Sequence, residues 1–235
     1  MNIAVIPARG ASKRIPRKNI KEFCGKPMIA WSIQAALDSS CFDRIIVSTD
    51  DVEIAEVARI YGADTPFLRP AELSDDHAGT IPVVAHAIDW LNSNGSFSNK
   101  VCCIYATAPF VLAADLQKGL SILKSTGADY AFSVTSFPFP IQRAVRINKE
   151  NRVEMFQPEY LNSRSQDLEE AWHDAGQFYW GIAQAWLECR PILNQNSAPI
   201  IMPRFRVQDV DTEEDWQSAE YMYQTILNQN KFKLC

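Results

Sequence analysis

The chain opens on a short apolar run, Ile3 to Ala8, that predicts a buried strand. From about Met28 to Leu37, the residues Ile29, Ile33, Ala36 and Leu37 recur at helical spacing. A second apolar strand, Arg44 to Thr49, is followed by a helix from Asp51 to Tyr61 that Gly62 ends. The rhythm continues with a helix around Thr80 to Leu91, a strand Val101 to Ala106, a helix Ala114 to Ser125 and a strand Tyr130 to Thr135. Buried strands alternating with helices predict an α/β sandwich on a mostly parallel sheet, with the site in loops at the carboxyl ends of the strands. From Phe137 to about Trp172 the periodicity weakens into a Pro-containing, polar and aromatic stretch, read as an insertion within one domain spanning residues 1–235. Regular structure resumes at Gly176 to Ile182, and the chain closes with RFRVQDVD and a helix, TEEDWQSAEYMYQTIL.

Composition adjusts this picture in two places. With 235 residues, 47% hydrophobic and 22% charged, the chain suits one globular domain with a full core. A net charge of -5 argues against nucleic-acid or anionic-membrane partners, and no apolar run approaches the ~20 residues of a membrane span. The six cysteines form no CxxC pair and lie in or beside apolar runs, so ordinary thiols in a cytoplasmic protein are expected.

Against that acidic background, seven Lys/Arg fall between Arg9 and Lys26 with only Glu22 against them. A strand running into a loop with Gly, Ser and several cations, PARGASKRIPRKN, is a way to hold phosphate through backbone N–H groups and charge-assisted bonds. The loop is neither the GxxxxGK[ST] of P-loop hydrolases nor the GxGxxG of dinucleotide folds. Asp209 and Asp211 flank Val210, and in an extended segment both carboxylates share one face, able to hold a hard cation; the competing reading is that Asp211 or Thr212 caps the last helix. Asp50 and Asp51, between a strand and a helix, read as a cap. His77, His86 and His173 are too scattered for a triad or metal cluster.

The segment IPARGASKRIPRKNI resembles the N-terminal motif of the sugar-activating cytidylyltransferases, the CMP-sialic acid synthetase family. The resemblance extends through RIIVSTDDVEIAEVARIYGAD, RPAELSDDHAGT, the TAP of YATAPF, SRSQDL, GQFYWG and QDVDTEEDW, nearly the whole chain. It implies a three-layer αβα, Rossmann-like nucleotidyltransferase sandwich and transfer of CMP from CTP to a nine-carbon keto sugar acid. It also implies a homodimer, in which residues 137–172 serve as a dimerisation subdomain reaching the partner's site. By the same resemblance, Arg9, Gly10, Ser12, Lys13, Lys18, Asn19, Arg69 and Thr80 hold CTP, with Ser74 and Asp76 in the segment over the nucleotide. Arg9 and Lys13 neutralise the leaving pyrophosphate, and Asp209 and Asp211 carry Mg²⁺. Tyr105, Thr107, Gln142, Arg143, Arg164, Gln166, Gln177 and Tyr179 match the region that receives the sugar acid. Two positions depart from the pattern: Arg14 stands where many relatives have Gly, and Tyr105 where the sialic acid enzymes carry Gln. The segments CCIYATAPF, FPFPIQRA and DAGQFYWG most resemble the branch acting on pseudaminic acid.

Overall fold

The computed structural model describes residues 1–75 and 78–232, with side chains to residue 227, so Asp76, His77 and Cys235 lie outside the described residues. The predicted alternation is present: β1 (Asn2–Pro7), α1 (Met28–Ser39), β4 (Arg44–Ser48), α2 (Val52–Ile60), α3 (Thr80–Ser93), β5 (Lys100–Ile104), α4 (Ala113–Thr126) and β6 (Tyr130–Ser136). Two tiny strands, β2 (Glu22–Phe23) and β3 (Lys26–Pro27), close a hairpin ahead of α1. Beyond β6 come β7 (Val145–Ile147), β8 (Val153–Met155), β9 (Trp172–Ile182), α5 (Ala183–Leu187), β10 (Ser197–Ile201) and α6 (Glu213–Phe232).

Six strands form the main sheet in the order β10-β6-β9-β5-β1-β4, parallel except for β9, which runs antiparallel to both β5 and β6. Successive side chains of each inner strand serve opposite cores. Ala4 and Ile6 of β1 pack with Ile29 and Ile33 of α1, Ile54 of α2 and Leu116 of α4, whereas Ile3 and Val5 pack with Val84 and Ile88 of α3 and Trp186 of α5. Burial on both faces is why these strands read as apolar runs rather than alternating ones. Gly119 is the close-approach point of α4: a Cβ there would lie 2.6 Å from Trp180 and 2.8 Å from Ile200.

One strand had no clear sequence signal, and another begins earlier than its signal. β10 carries Pro199, buries only Ala198 and Ile200, and pairs only with β6, so it is an edge strand, where proline is tolerated. β9 starts at Trp172, ahead of the expected Gly176, because its first residues pair with β6 beyond a register shift. At that shift the Ser133 hydroxyl donates to the Phe178 carbonyl and accepts the Phe178 amide, standing in for lost ladder bonds.

Between β6 and β9 the chain leaves the sheet as the β7–β8 hairpin and short 3-10 turns, and Phe139, Ile147, Val153, Phe156 and Leu161 are all exposed there. A third apolar cluster ties α6 to the N-terminal loop: Ile15, Phe23 and Phe110 close over Val210, Trp216 and Ala219. Among the described residues, no helix is long and apolar enough to cross a membrane, and Cys24, Cys41, Cys102, Cys103 and Cys189 are free thiols.

Candidate active site

From β1 the chain passes through α1 to β4 on one side, then returns through α2 and α3 to β5 on the other. Neighbouring loops leaving a sheet in opposite directions open a crevice at the strands' carboxyl ends. There lies a cleft of about 570 Å³, bounded by Pro7 at the end of β1, Tyr105 to Thr107 after β5, the basic loop, Arg69, the start of α3 and Asp211.

The basic loop is held by its own polar groups. The Gly10 amide donates to Asp50 Oδ1 at 2.9 Å, and the buried Asn19 side chain donates to the Arg9 carbonyl at 2.9 Å. Arg17, in left-handed backbone (φ 56°), donates to the Asp51 and Glu53 carboxylates at the head of α2. Asp51 also caps α2, its Oδ1 accepting the Ile54 amide at 3.0 Å. Asp50 therefore does not cap; it fixes the loop and lies 3.9 Å from the Arg69 guanidinium.

The seven cations divide. Arg9, Lys13, Arg14 and Lys18 line the cleft, together with Ser12 and Asn19. Arg17, Lys21 and Lys26 serve the fold: Lys21 pairs with Glu213 and lies over the Trp216 ring, and Lys26 lies over Trp31. Four of the seven cations thus border the cleft, and three do not. Arg9 donates to the Asp75 carbonyl at 3.0 Å across the mouth. Arg14 pairs with Asp211 Oδ2 at 2.8 Å, and Lys18 donates to the Val210 carbonyl at 2.7 Å and to Asp211 Oδ1 at 3.3 Å.

Val210 is buried in the α6 cluster, and Asp209 and Asp211 flank it, with Asp211 alone among the two bounding the cleft. Desolvation and then the neighbouring Asp211 charge push the Asp209 carboxyl above its ordinary range, against the pull of Lys18. Two crowded hard oxygen donors suit a divalent cation that completes its shell with phosphate and water. Among the described residues, no cluster of three or more His, Cys, Asp or Glu is placed to hold a metal ion. The capping alternative falls to Thr212, whose hydroxyl accepts the Asp215 amide at 3.2 Å while Asp215 accepts the Thr212 amide at 2.8 Å. Asp211 is left available.

Arg69 is 6% exposed, its backbone amide bonded to the Thr49 carbonyl and its Nε to the Ser74 hydroxyl. Burial lowers its pKa, and Asp50 offsets this. α3 begins at Thr80 with Gly79 as a cap lacking any side-chain bond, and Gly79, Thr80 and Val83 bound the cleft. Thr107 bounds the cleft, and Tyr105 stands between it and a second pocket of about 360 Å³ that Tyr179 lines. The structure does not bring the other predicted sugar contacts into the cleft. Gln142, Arg143, Arg164 and Gln166 lie on the excursion between β6 and β9, Arg164 paired with Asp167. Gln177 is buried and donates to the Arg206 carbonyl. His86 packs on Phe67 and His173 on Phe137, neither bounding the cleft. Sequence reasoning did not single out Leu73, Asp75 and Val83 at the cleft or Asp174 in the second pocket, although Leu73 and Asp75 lie in RPAELSDDHAGT and Asp174 opens DAGQFYWG.

The profile of the cytidylyltransferase family matches residues 3–230. A pseudaminic acid cytidylyltransferase of Campylobacter jejuni subsp. jejuni serotype O:23/36 (strain 81-176) is 47% identical over 94% of this chain and 96% of its own. The CMP-N,N'-diacetyllegionaminic acid synthase of Legionella pneumophila subsp. pneumophila (strain Philadelphia 1) is 32% identical over 97% of each chain. Among solved structures, a CMP:2-keto-3-deoxy-manno-octonic acid synthetase complexed with CTP superposes with a TM-score of 0.68 over 95% of this chain and 98% of its own, at 15% identity, a likeness of fold. With the sheet order, the cleft at the ends of β1 and β5 and a sequence match running almost end to end, the chain belongs to the cytidylyltransferase family.

Proposed function

We propose that the protein transfers CMP from CTP to the anomeric hydroxyl of pseudaminic acid, releasing pyrophosphate. The observation that carries this reading is the cleft itself, where Arg9, Lys13, Arg14 and Lys18 from one loop face Asp211 from the far end of the chain. Cations there suit a triphosphate, and the carboxylate pair a cation bound with it. The choice of sugar rests on the 47% identity to the Campylobacter enzyme against 32% to the legionaminic one.

In this reading the backbone of the loop and the first turn of α3 bind phosphate oxygens. Arg9 and Lys13 neutralise the pyrophosphate as negative charge gathers on it, the point where electrostatic stabilisation counts most. Arg69 holds the base or ribose. Asp209 and Asp211 would hold Mg²⁺, which when bound supplies Lewis-acid polarisation of phosphate oxygens and of the attacking hydroxyl. With nucleotide present, Arg14 and Lys18 exchange Asp211 for phosphate, their ion pairs with Asp211 being partly solvent-exposed. Tyr105, Thr107 and Tyr179 orient the sugar acid. Gln142, Arg143, Arg164 and Gln166 act on the sugar acid by way of the excursion between β6 and β9, which pairs with a second copy; the exposed Phe139, Ile147, Val153 and Phe156 support this dimer reading. Free thiols and a nucleotide substrate support a cytoplasmic enzyme.

A pyrophosphate-release assay with CTP, Mg²⁺ and a panel of keto sugar acids tests the proposal. Pseudaminic acid should give the highest kcat/KM. Preference for legionaminic, N-acetylneuraminic or 3-deoxy-octulosonic acid would transfer the assignment to that sugar, and no release with any of them would leave a nucleotide-binding protein on this fold.

A further inference from the structure

Three residues before Asp209, the chain is tied down from two sides at Arg206. The Arg206 guanidinium pairs with both oxygens of Asp115 at the head of α4, Nη2 reaching Oδ1 at 3.0 Å, and its Nη1 donates to the Phe110 carbonyl at 3.3 Å. Asp115 Oδ2 also accepts the Leu112 amide at 3.0 Å, so the ion pair is built into the cap of α4. From the other side, Gln177 of β9 donates its Nε2 to the Arg206 backbone carbonyl. Gln177 is 1% exposed, and its own backbone carbonyl accepts the amide of Tyr105, a wall of the cleft, at 2.9 Å. One residue thus joins two stretches of the site: its backbone holds the loop after β5, and its side chain holds the approach to Asp209 and Asp211. Stability alone does not account for this amide. Gln177 Oε1 is buried with no hydrogen-bond partner among the described residues, a cost that an apolar side chain of the same length would avoid.

We propose that Gln177 is a positioning residue for the carboxylate pair: by holding the Arg206 carbonyl from β9, it fixes where Asp209 and Asp211 stand relative to the loop after β5, and so how tightly they take a divalent cation bound with the nucleotide. This rests on the reading that the cleft takes CTP and that Asp209 and Asp211 hold the cation. The chain between the two anchors is short. Val207 packs against the core, Val210 is buried in the α6 cluster, and Lys18 holds the Val210 carbonyl at 2.7 Å, so a shift at Arg206 passes directly to Asp209. Gln177 itself touches neither the cation nor the sugar acid; it acts through Arg206.

Removing Arg206 would strand the Asp115 carboxylate, 8% exposed, and endanger the fold, so the test is made at Gln177. Gln177→Met keeps the length of the side chain and deletes the donor. It removes one buried oxygen without a partner and leaves another, the Arg206 carbonyl, without its donor, so the melting temperature should fall by no more than about 3 °C. The probe is Mn²⁺, titrated at saturating CTP and read by the EPR signal of the free ion. Expected is a Mn²⁺ Kd raised about five-fold or more, as when a hydrogen bond that orients a metal ligand is lost. The Kd for CTP without Mn²⁺, set by the basic loop and Arg69, should stay within about two-fold. A residue serving only the fold would instead lower the melting temperature or weaken both ligands together. A smaller rise in the Mn²⁺ Kd, a CTP Kd that moves by more than about two-fold, or a melting temperature lower by more than about 3 °C would each overturn the inference. A wild type that binds CTP but no Mn²⁺ would sink it together with the cation site. A wild type that binds both yet turns over no sugar acid would sink the proposed function and leave this inference standing.

Discussion

At the scale of single residues, Gly10 shows how little room the phosphate loop has. A Cβ there would lie 2.6 Å from Asp51 Oδ2 and 2.9 Å from Asp51 Cβ, and Asp51 cannot give way because it caps α2 and takes Arg17. Gly10→Ala should therefore displace the loop, raising KM for CTP by about ten-fold or more with a loss of ~1–2 kcal/mol in urea unfolding. An unchanged KM would show that the loop is not the nucleotide's seat. Arg17 and Asp51 also set an acid dependence. The hydrogen bond from Arg17 is the main cause holding the Asp51 carboxyl below its ordinary range. A carboxyl lowered on folding stabilises above its unfolded pKa of about 3.9, and that stability disappears as pH falls through the folded value. Arg17→Met should consequently be less stable than wild type at about pH 6, with the difference closing as pH drops below about 4. Urea unfolding at intervals across that range reads it; a difference constant with pH would overturn it.

At the scale of elements, α6 joins two ends of the chain. Its first turn is capped by Thr212 and Asp215, Trp216 packs edge-on to Phe23 at 5.5 Å, and Lys21 reaches Glu213. Docking this turn on the N-terminal loop is what brings Asp211 against Arg14 and Lys18. The cap lies on Thr212 and Asp215 and not on Asp211, so capping and the proposed cation-holding role of Asp211 are separable by mutation. Thr212→Ala should cost ~1 kcal/mol of stability with turnover kept within a few-fold. Asp211→Asn, without a cap to lose, should keep stability and lose most turnover. Undiminished turnover in Asp211→Asn would exclude it from the cation site. The elements themselves differ in legibility. β1, β4, β5 and β6 are readable because each buries both faces, whereas β10 offers the pattern only two buried side chains and a proline. Likewise, the basic loop is visible as a charge excess, but composition cannot tell Arg9 and Lys13, which border the cleft, from Lys21 and Lys26, which lie over tryptophan rings.

At the scale of the whole molecule, exposed apolar side chains collect on the excursion between β6 and β9, with Phe139 81%, Ile147 72% and Val153 73% exposed. A surface of that kind suits an interface and supports the proposed dimer. The proposed dimer predicts that sedimentation of wild type gives twice the chain mass. Ile147→Asp with Val153→Asp should then give a monomer with a raised KM for the sugar acid and a folded, thermally cooperative core. A monomeric wild type would remove Gln142, Arg143, Arg164 and Gln166 from the site. What the sequence determined alone is the alternation of buried strands and helices, the loop after β1 and the DxD before the last helix. Those are local: burial on two faces, helical spacing and charge density are written in neighbouring residues. Tertiary structure decided which cations face the cleft, that Thr212 rather than Asp211 caps α6, and that Tyr179 donates to Asp174 while Tyr105 meets Thr80. Each depends on contacts between residues far apart in the chain, and no local pattern records which partner a side chain meets once the sheet has closed.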